Sequence, residues 1–482
     1  MIGQPTPPSG AKRGRRPWFA VMAGGVAMMS AVVAPVSSAF AQDAPMSLIR
    51  DTEVEEILHK DADPIFRAAG LEPKAVTIYI VGNEDLNAFV AGGQNLFLFT
   101  GLIVKTKTPN ELIGVIAHET GHMAGGHLVR GAEGEKQALA TYLLTIGLGV
   151  LAAAAGAPDA AAGLLYSSGY FAAITGAAFT RTQEASADQA AITYLEKSGQ
   201  SGKGIVDFFD NFRYEEVFAN ARRYKYFQDH PLTSERIEAL RVRATEQSHF
   251  DVTDTPEAQA EHQVMIAKLR AFEDYPQQTM LDYPESDTSF PARYARAIAH
   301  YRSLDTAKAL KEIDALIAER PEDPYLWELK GQTLFESGRA IEAEPAHRRS
   351  VELKPGAPLL RMNLAQTLLA EDDPKKLDEA LDQLHHSVNV ESDNAFAWLL
   401  MSQAYDRKGE AGMARLAAAE QEFALGQLGD AKAFAMRARR QLVKSSPEWR
   451  RATDIVLVSK PTNEDLRLLA QEGSVGASSV RR

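Results

Sequence analysis

The distribution of apolar positions changes character along the chain. From Ala75 to Leu102 apolar residues come in short runs rich in β-branched and aromatic side chains, "VTIYIV" (76–81) and "NLFLFT" (95–100), with Gly92-Gly93 as a turn signal between them, and this predicts strands. Thr108-Pro109-Asn110-Glu111 then places Thr at a helix N-cap, Pro at the first helical position and Glu at the third, so the following "ELIGVIAHETGHMAGGH" is predicted to begin on a helix. Between Lys136 and Arg181 the only formal charge is Asp159. Two apolar stretches there, 139–156 and 160–179, predict a helical hairpin that is either buried over a site, or a surface touching membrane, or a pair of spans.

Beyond about residue 255 the pattern becomes an internal repeat. Aligning Trp327 with Trp398 puts Gly338 beside Gly409 and Ala343 beside Ala414, and Pro321 and Pro355 stand 34 residues apart, the period of a tetratricopeptide repeat. The unit between the two Trp units, containing residues 364–384, carries a short insertion at "EDDP", and the flanking units, 294–320 and 423–443, are degenerate. Each unit is a helix pair that buries its apolar face only against its neighbours, so the region is predicted to form a curved α-solenoid with a concave surface.

Composition narrows this picture. A chain of 482 residues should divide into several domains, and its formal charge of −12 argues against nucleic acid as a partner. Lys12, Arg13, Arg15 and Arg16, the apolar run Trp18–Val36 and Ala39-Phe40-Ala41 read as a cleavable export signal over residues 1–41, with an uncleaved anchor as the other reading. Cleavage there takes the formal charge to −16. The adjacent Arg15 and Arg16 leave the export route open between general and twin-arginine. No cysteine is present, so any metal is held by His, Asp or Glu.

The chemistry concentrates in "HETGH", residues 118–122. On a helix His118 and His122 share one face and can direct both imidazoles at one ion, while Glu119, one residue on, is placed to reach a water rather than the metal. Zinc in such a site acidifies water and polarises a scissile carbonyl. A third ligand is required. Gly125 is in register with the metzincin pattern, but Leu128 stands where its third histidine belongs; His127 is one residue early, about 100° away on a continuing helix. Downstream, Glu184 and Asp188 in "TRTQEASADQAA" (180–191) lie four apart on a predicted helix: one carboxylate could bind zinc and the other could accept a hydrogen bond from a ligating imidazole, though carboxylates at this spacing also occur on solvated faces.

His118-Glu119-x-x-His122 followed by Arg181-x-x-Glu184-x-x-x-Asp188 resembles the gluzincin peptidases related to the CAAX prenyl endopeptidase and HtpX. With "NAFVAGGQNLFLFTGL" (87–102), "HPLTSERI" (230–237) and the repeats, the mature chain resembles the periplasmic BepA-type proteases of outer-membrane protein quality control. Thr180 stands where Ser is usual, and the hairpin is richer in Ala and Gly than expected. The resemblance implies Glu184 as third zinc ligand and Asp188 behind it. It also implies a role for His230, which by sequence alone reads as a turn histidine beside Pro231: it either fills the zinc's open position or stabilises the reaction's oxyanion. Arg236 would anchor that loop. "NLFLFT" reads either as a core strand or as a sheet edge that takes an extended substrate.

The fold expected is therefore mostly helical α+β: a gluzincin domain with a small β-sheet and an HExxH helix over residues 42–250, a linker with the first solenoid helices over 251–290, tetratricopeptide repeats over 291–445 and a tail over 446–482. The function expected is that of a periplasmic metalloendopeptidase with one Zn2+ per chain. Unfolded or assembling outer-membrane proteins and their assembly machinery would be its partners, with peripheral membrane contact left open. The rival reading is a chaperone or scaffold acting mainly through the repeats.

Overall fold

A computed structural model of the chain describes residues 47–126, 180–217 and 230–472, together with Leu144 and Tyr226. The export signal, His127, residues 473–482 and, Leu144 apart, the 139–179 hairpin lie outside the described residues.

The sheet has four strands, β1 (Leu48–Ile49), β2 (Thr77–Val81), β3 (Ala88–Ala91) and β4 (Asn95–Phe99), in the order β1-β2-β4-β3. The Gly92-Gly93 turn joins β3 to β4 as an antiparallel hairpin, with Ala91 opposite Asn95; φ is +58° and +101° at the two glycines, a region that only glycine enters freely. Strand β2 pairs with β4 in parallel. The sequence reading placed only two strands about that turn, because "AFVA" is too short to show alternation. It also left "NLFLFT" open as a sheet edge, and here the structure corrects it: β4 is paired on both sides, so the edges are β1 and β3. One face of the sheet buries Ile78, Ile80, Leu96, Leu98, Ala88 and Val90. The other stacks Tyr79 on Phe97 and Phe97 on Phe89, with ring centres 4.9 and 4.8 Å apart.

Among the described residues, helices α1 (Thr52–Ala68), α2 (Thr100–Ile103), α3 (Pro109–Ala124), α4 (180–198), α5 (Lys203–Val217), α6 (Ser234–Thr245) and α7 (Pro256–Glu273) make up the rest of this first region. Helix α3 is its axis and is buried from Pro109 through His122. Two glycines let neighbours approach it closely: a Cβ at Gly114 would stand 2.7 Å from Ile205 Cβ on α5, and one at Gly121 would stand 2.8 Å from the Ala187 carbonyl oxygen on α4.

Helix α7 belongs to two cores at once. Met265 and Leu269 pack into the core around the sheet and α3, while Val264, Ala267 and Ala271 pack into the first repeat core. The segment read as a linker with the first solenoid helices thus holds a helix shared by two cores and buried on opposite faces. Its Lys268 lies beneath α1, 2.7 Å from Asp51 and 3.0 Å from Glu53, and Tyr294 donates to Glu53 at 3.0 Å.

After the short α8 (Pro276–Asp282) come the pairs α9–α10 (Phe290–Arg302, Thr306–Glu319), α11–α12 (Pro324–Glu336, Ala340–Leu353), α13–α14 (Pro358–Ala370, Leu377–Val390) and α15–α16 (Ala395–Arg407, Ala411–Ala424). The aligned positions adopt one geometry: Trp327 Nε1 donates to the Pro321 carbonyl and Trp398 Nε1 to the Ser392 carbonyl, both at 2.9 Å, and Gly338 and Gly409 both have φ +76°. In the first unit and in the unit with the insertion the corresponding left-handed positions are held by Leu304 (φ +60°) and Asp372 (φ +56°). The segment expected as a tail from 446 holds α18 (Pro447–Val458) and α19 (Asn463–Gln471), which follow α17 (Leu428–Arg439). Ala452, Ile455, Val456 and Leu469 pack there against Ala431, Ala435 and Leu416. A solenoid's last apolar face requires a cover, and these helices supply it.

Candidate active site

Helix α3 starts as the sequence indicates. Thr108 accepts from the Glu111 N–H at 3.2 Å, although Glu111 returns its own bond to the Lys107 N–H (2.7 Å) rather than to the cap residue. The helix ends at Ala124, and Gly126 has φ +63°. Contact of Gly121 with Ala187 sets α4 against α3, bringing Glu184 and Asp188 beside the two histidines.

Four buried donors converge: His118, His122, Glu184 and His230. His118 Nε2 lies 3.1 Å from His122 Nε2 and 3.4 Å from His230 Nδ1. Glu184 oxygens lie 3.2 Å from His122 Nε2, 3.5 Å from His118 Nε2 and 3.1 Å from His230 Nδ1. Ligands on a tetrahedral zinc with bonds of about 2.0–2.1 Å are about 3.3 Å from one another, so this donor set fits such an ion. Asp188 Oδ1 lies 2.9 Å from His118 Nδ1 and fixes the tautomer that leaves Nε2 facing the cluster. Arg236 grips Asp188 with Nε and a terminal nitrogen at 2.6 and 2.8 Å, reaches Glu184 at 2.8 Å and donates to the Pro231 carbonyl at 3.2 Å. The loop carrying His230 is thereby tied to the carboxylates of α4.

The electrostatics follow from burial opposed by pairing. Burial lowers His118, yet hydrogen bonds with Asp188 and Glu184 outweigh it and bring its pKa up to about 9. His122, with less compensation, is pushed by burial down to about 3. Burial would raise Glu184, but bonds with the three histidines hold it far below the ordinary carboxylate range. Negative charge that would hold a proton on His118 also suits a dication, and the two compete for the same lone pair. Glu119 is fully buried and its pKa is raised by desolvation. Its oxygens make no ordinary hydrogen bond; His230 Nε2, 3.6 Å away, and the Tyr226 hydroxyl are the polar groups that face it.

Residues 49–244 match the model of peptidase family M48. This chain carries an M48 peptidase domain. The chain is 24% identical over 336 residues to the beta-barrel assembly-enhancing protease of Yersinia pestis, covering 69% of this chain and 68% of that one. It is 25% identical over 344 residues to the protein of the same name in Escherichia coli K12, covering 68% of this chain and 66% of that one. The metalloprotease LoiP of E. coli K12 is 28% identical over 172 residues, covering 36% of this chain and 63% of LoiP. The chain is a metalloprotease, and the four-donor cluster, where α3, α4 and the Pro231 loop meet, falls within the residues matched to that family. No helix among the described residues is long and apolar enough to cross a membrane.

Sequence reasoning had singled out His118, Glu119, His122, Glu184, Asp188, His230 and Arg236, and the structure brings all seven together. It had missed Gly121, whose signal was a lone glycine inside a helical apolar run, and Tyr226, whose ring lies 4.7 Å from that of His230. Nothing in the sequence distinguished Tyr226 from other aromatic residues.

Proposed function

We propose that the protein is a zinc metalloendopeptidase with one Zn2+ per chain, held by His118, His122 and Glu184, with His230 as the fourth donor at rest. The convergence of these four donors beside a buried, sparsely bonded Glu119 carries the reading. A zinc ion in this site supplies Lewis acidity toward the scissile carbonyl and the attacking water. Glu119 takes the proton from that water and passes it to the leaving amine, as its raised pKa and position suit. Asp188 holds His118, and Arg236 holds Asp188, Glu184 and the His230 loop. An extended client segment lies along the edge strand β3.

The site of action proposed is a periplasm, reached through the export signal. The clients proposed are misfolded or stalled outer-membrane proteins, gathered by the repeats together with their assembly machinery. The signal-like first 41 residues and the likeness to the beta-barrel assembly-enhancing proteases support this. Proteolysis of an unfolded outer-membrane protein by the wild type and by Glu119→Gln tests it; equal cleavage by both would sink the assignment. The fourth-corner position of His230 favours a second reading, a chaperone or scaffold whose site is mostly closed. His230→Ala separates the roles of this residue: a mere block predicts faster basal proteolysis, whereas an oxyanion role predicts a slow enzyme even with the site open.

A further inference from the structure

The motif that supplies Glu184 and Asp188 opens with Arg181, and the chemistry above makes no use of it. Arg181 is exposed on α4, one turn before Glu184, and lines a cavity of about 560 Å³ between α4 and α6. Glu184 and Asp188 form part of the wall, and Pro231, next to His230, forms another part. The cavity therefore adjoins the donor cluster itself.

Among the described lining residues three arginines, Arg181, Arg236 and Arg243, stand with three carboxylates, Glu184, Asp188 and Glu235, so what a ligand meets depends on which of these are already paired. Glu184 and Asp188 are already engaged by Arg236, at 2.8 and 2.6 Å, and by the histidines of the cluster. Glu235, the remaining carboxylate among the described lining residues, lies in the first turn of α6, where its charge meets the positive end of that helix. Against it stand Arg181 and, seven residues beyond Arg236 on α6, Arg243; neither makes an ion pair or hydrogen bond among the described residues. Two guanidinium groups from different helices, facing one cavity without partners, are suited to a planar anion that accepts two parallel N–H bonds.

We propose that this cavity is a subsite for a carboxylate of the bound polypeptide, either an acidic side chain close to the scissile bond or the chain's C-terminal carboxylate, held by Arg181 and Arg243. The proposal rests on the peptidase reading above. Because an extended chain advances about 3.3 Å per residue, a cavity bordering Glu184 is reached by residues within about three positions of the bond cut.

The test uses full-length, zinc-loaded protein and matched fluorogenic peptides. One set carries Glu or Gln at each position flanking the cut. A second set, free of acidic side chains, ends in a free or amidated C-terminus at increasing distance from the cut. One set, or both, should show kcat/KM higher for the carboxylate member by on the order of tenfold, mainly through KM, and the set that does so identifies the source. The preference should shrink at high salt. In the double variant Arg181→Gln/Arg243→Gln the ratio should fall toward one, and in Arg181→Lys/Arg243→Lys it should be partly restored. No preference in either set, or a preference unchanged in the double Gln variant, overturns the subsite. Should no peptide be cut at all, the peptidase reading fails separately. The subsite is then judged by fluorescence anisotropy of the same labelled peptides on Glu119→Gln, where equal affinity for carboxylate and neutral members overturns it.

Discussion

Helix α3 of the catalytic region and helix α10 of the solenoid are of similar length and are built on opposite principles. Helix α3 is buried on every side, with His118, Glu119, Thr120 and His122 inside it. Helix α10 buries only Ala309, Ile313, Leu316 and Ile317, a single stripe that its neighbours cover. A helix enclosed all round must find partners for its polar groups far away in the chain, and α3 finds them at Glu184, Asp188, His230 and Arg236. A striped helix needs only the next repeat. Chemistry is concentrated in the first kind of environment because burial there shifts pKa values and aligns donors, while the second supplies a modular surface.

The contrast predicts that single changes around α3 abolish a function while changes around α10 merely weaken a fold. The largest effect expected is at the cluster. Glu119→Gln should lower peptide hydrolysis by about 10²–10⁴-fold while retaining about one zinc per chain, whereas Glu184→Ala should lose activity and metal together, by metal analysis of the purified protein. Full activity in either would end the distinction between the two carboxylates.

The next effect concerns the shared helix α7. Leu269→Ala and Leu316→Ala each remove a buried leucine and should each cost about 2–5 kcal/mol, read from denaturant unfolding. Only Leu269→Ala, which opens the catalytic core, should weaken zinc retention; equal retention in both would mean that α7 does not support the site. By the same logic, a fragment ending at residue 250 lacks Met265 and Leu269 and should be less stable than one ending at 275.

Asp188→Asn should be milder, with metal affinity falling by about 10–100-fold, because the His118 tautomer is held less firmly while every direct donor remains. An affinity within twofold of wild type would demote Asp188 to a partner of Arg236 alone. Smallest is a change confined to the solenoid. Leu304→Gly relieves a left-handed backbone at an exposed leucine and should raise stability by about 1 kcal/mol without altering hydrolysis. A loss of stability there would show that the Leu304 side chain does more than occupy the turn.

How much the sequence disclosed differs between the two regions for the same reason. The repeats were legible because each depends on contacts with adjacent units: Trp327 and Trp398 make the same bond, and Gly338 and Gly409 the same turn. At the site, the helix start, the pairing of His118 with His122 and the place of Glu119 follow from helical spacing alone. Spacing alone could not choose between solvated carboxylates and a ligand at Glu184, or between a turn residue and a fourth donor at His230, and there the family resemblance carried the reading.

Local periodicity and capping chemistry thus determined where the helices, the repeats and two of the donors lie, because those features are set within one or two turns of chain. Only the tertiary structure decided that β4 is interior, that α7 serves two cores, that Gly121 admits α4, and that Arg236 ties the His230 loop to Asp188. Each of these depends on which surfaces, distant in sequence, come within hydrogen-bonding or van der Waals reach, and that is decided by the packing of the whole chain.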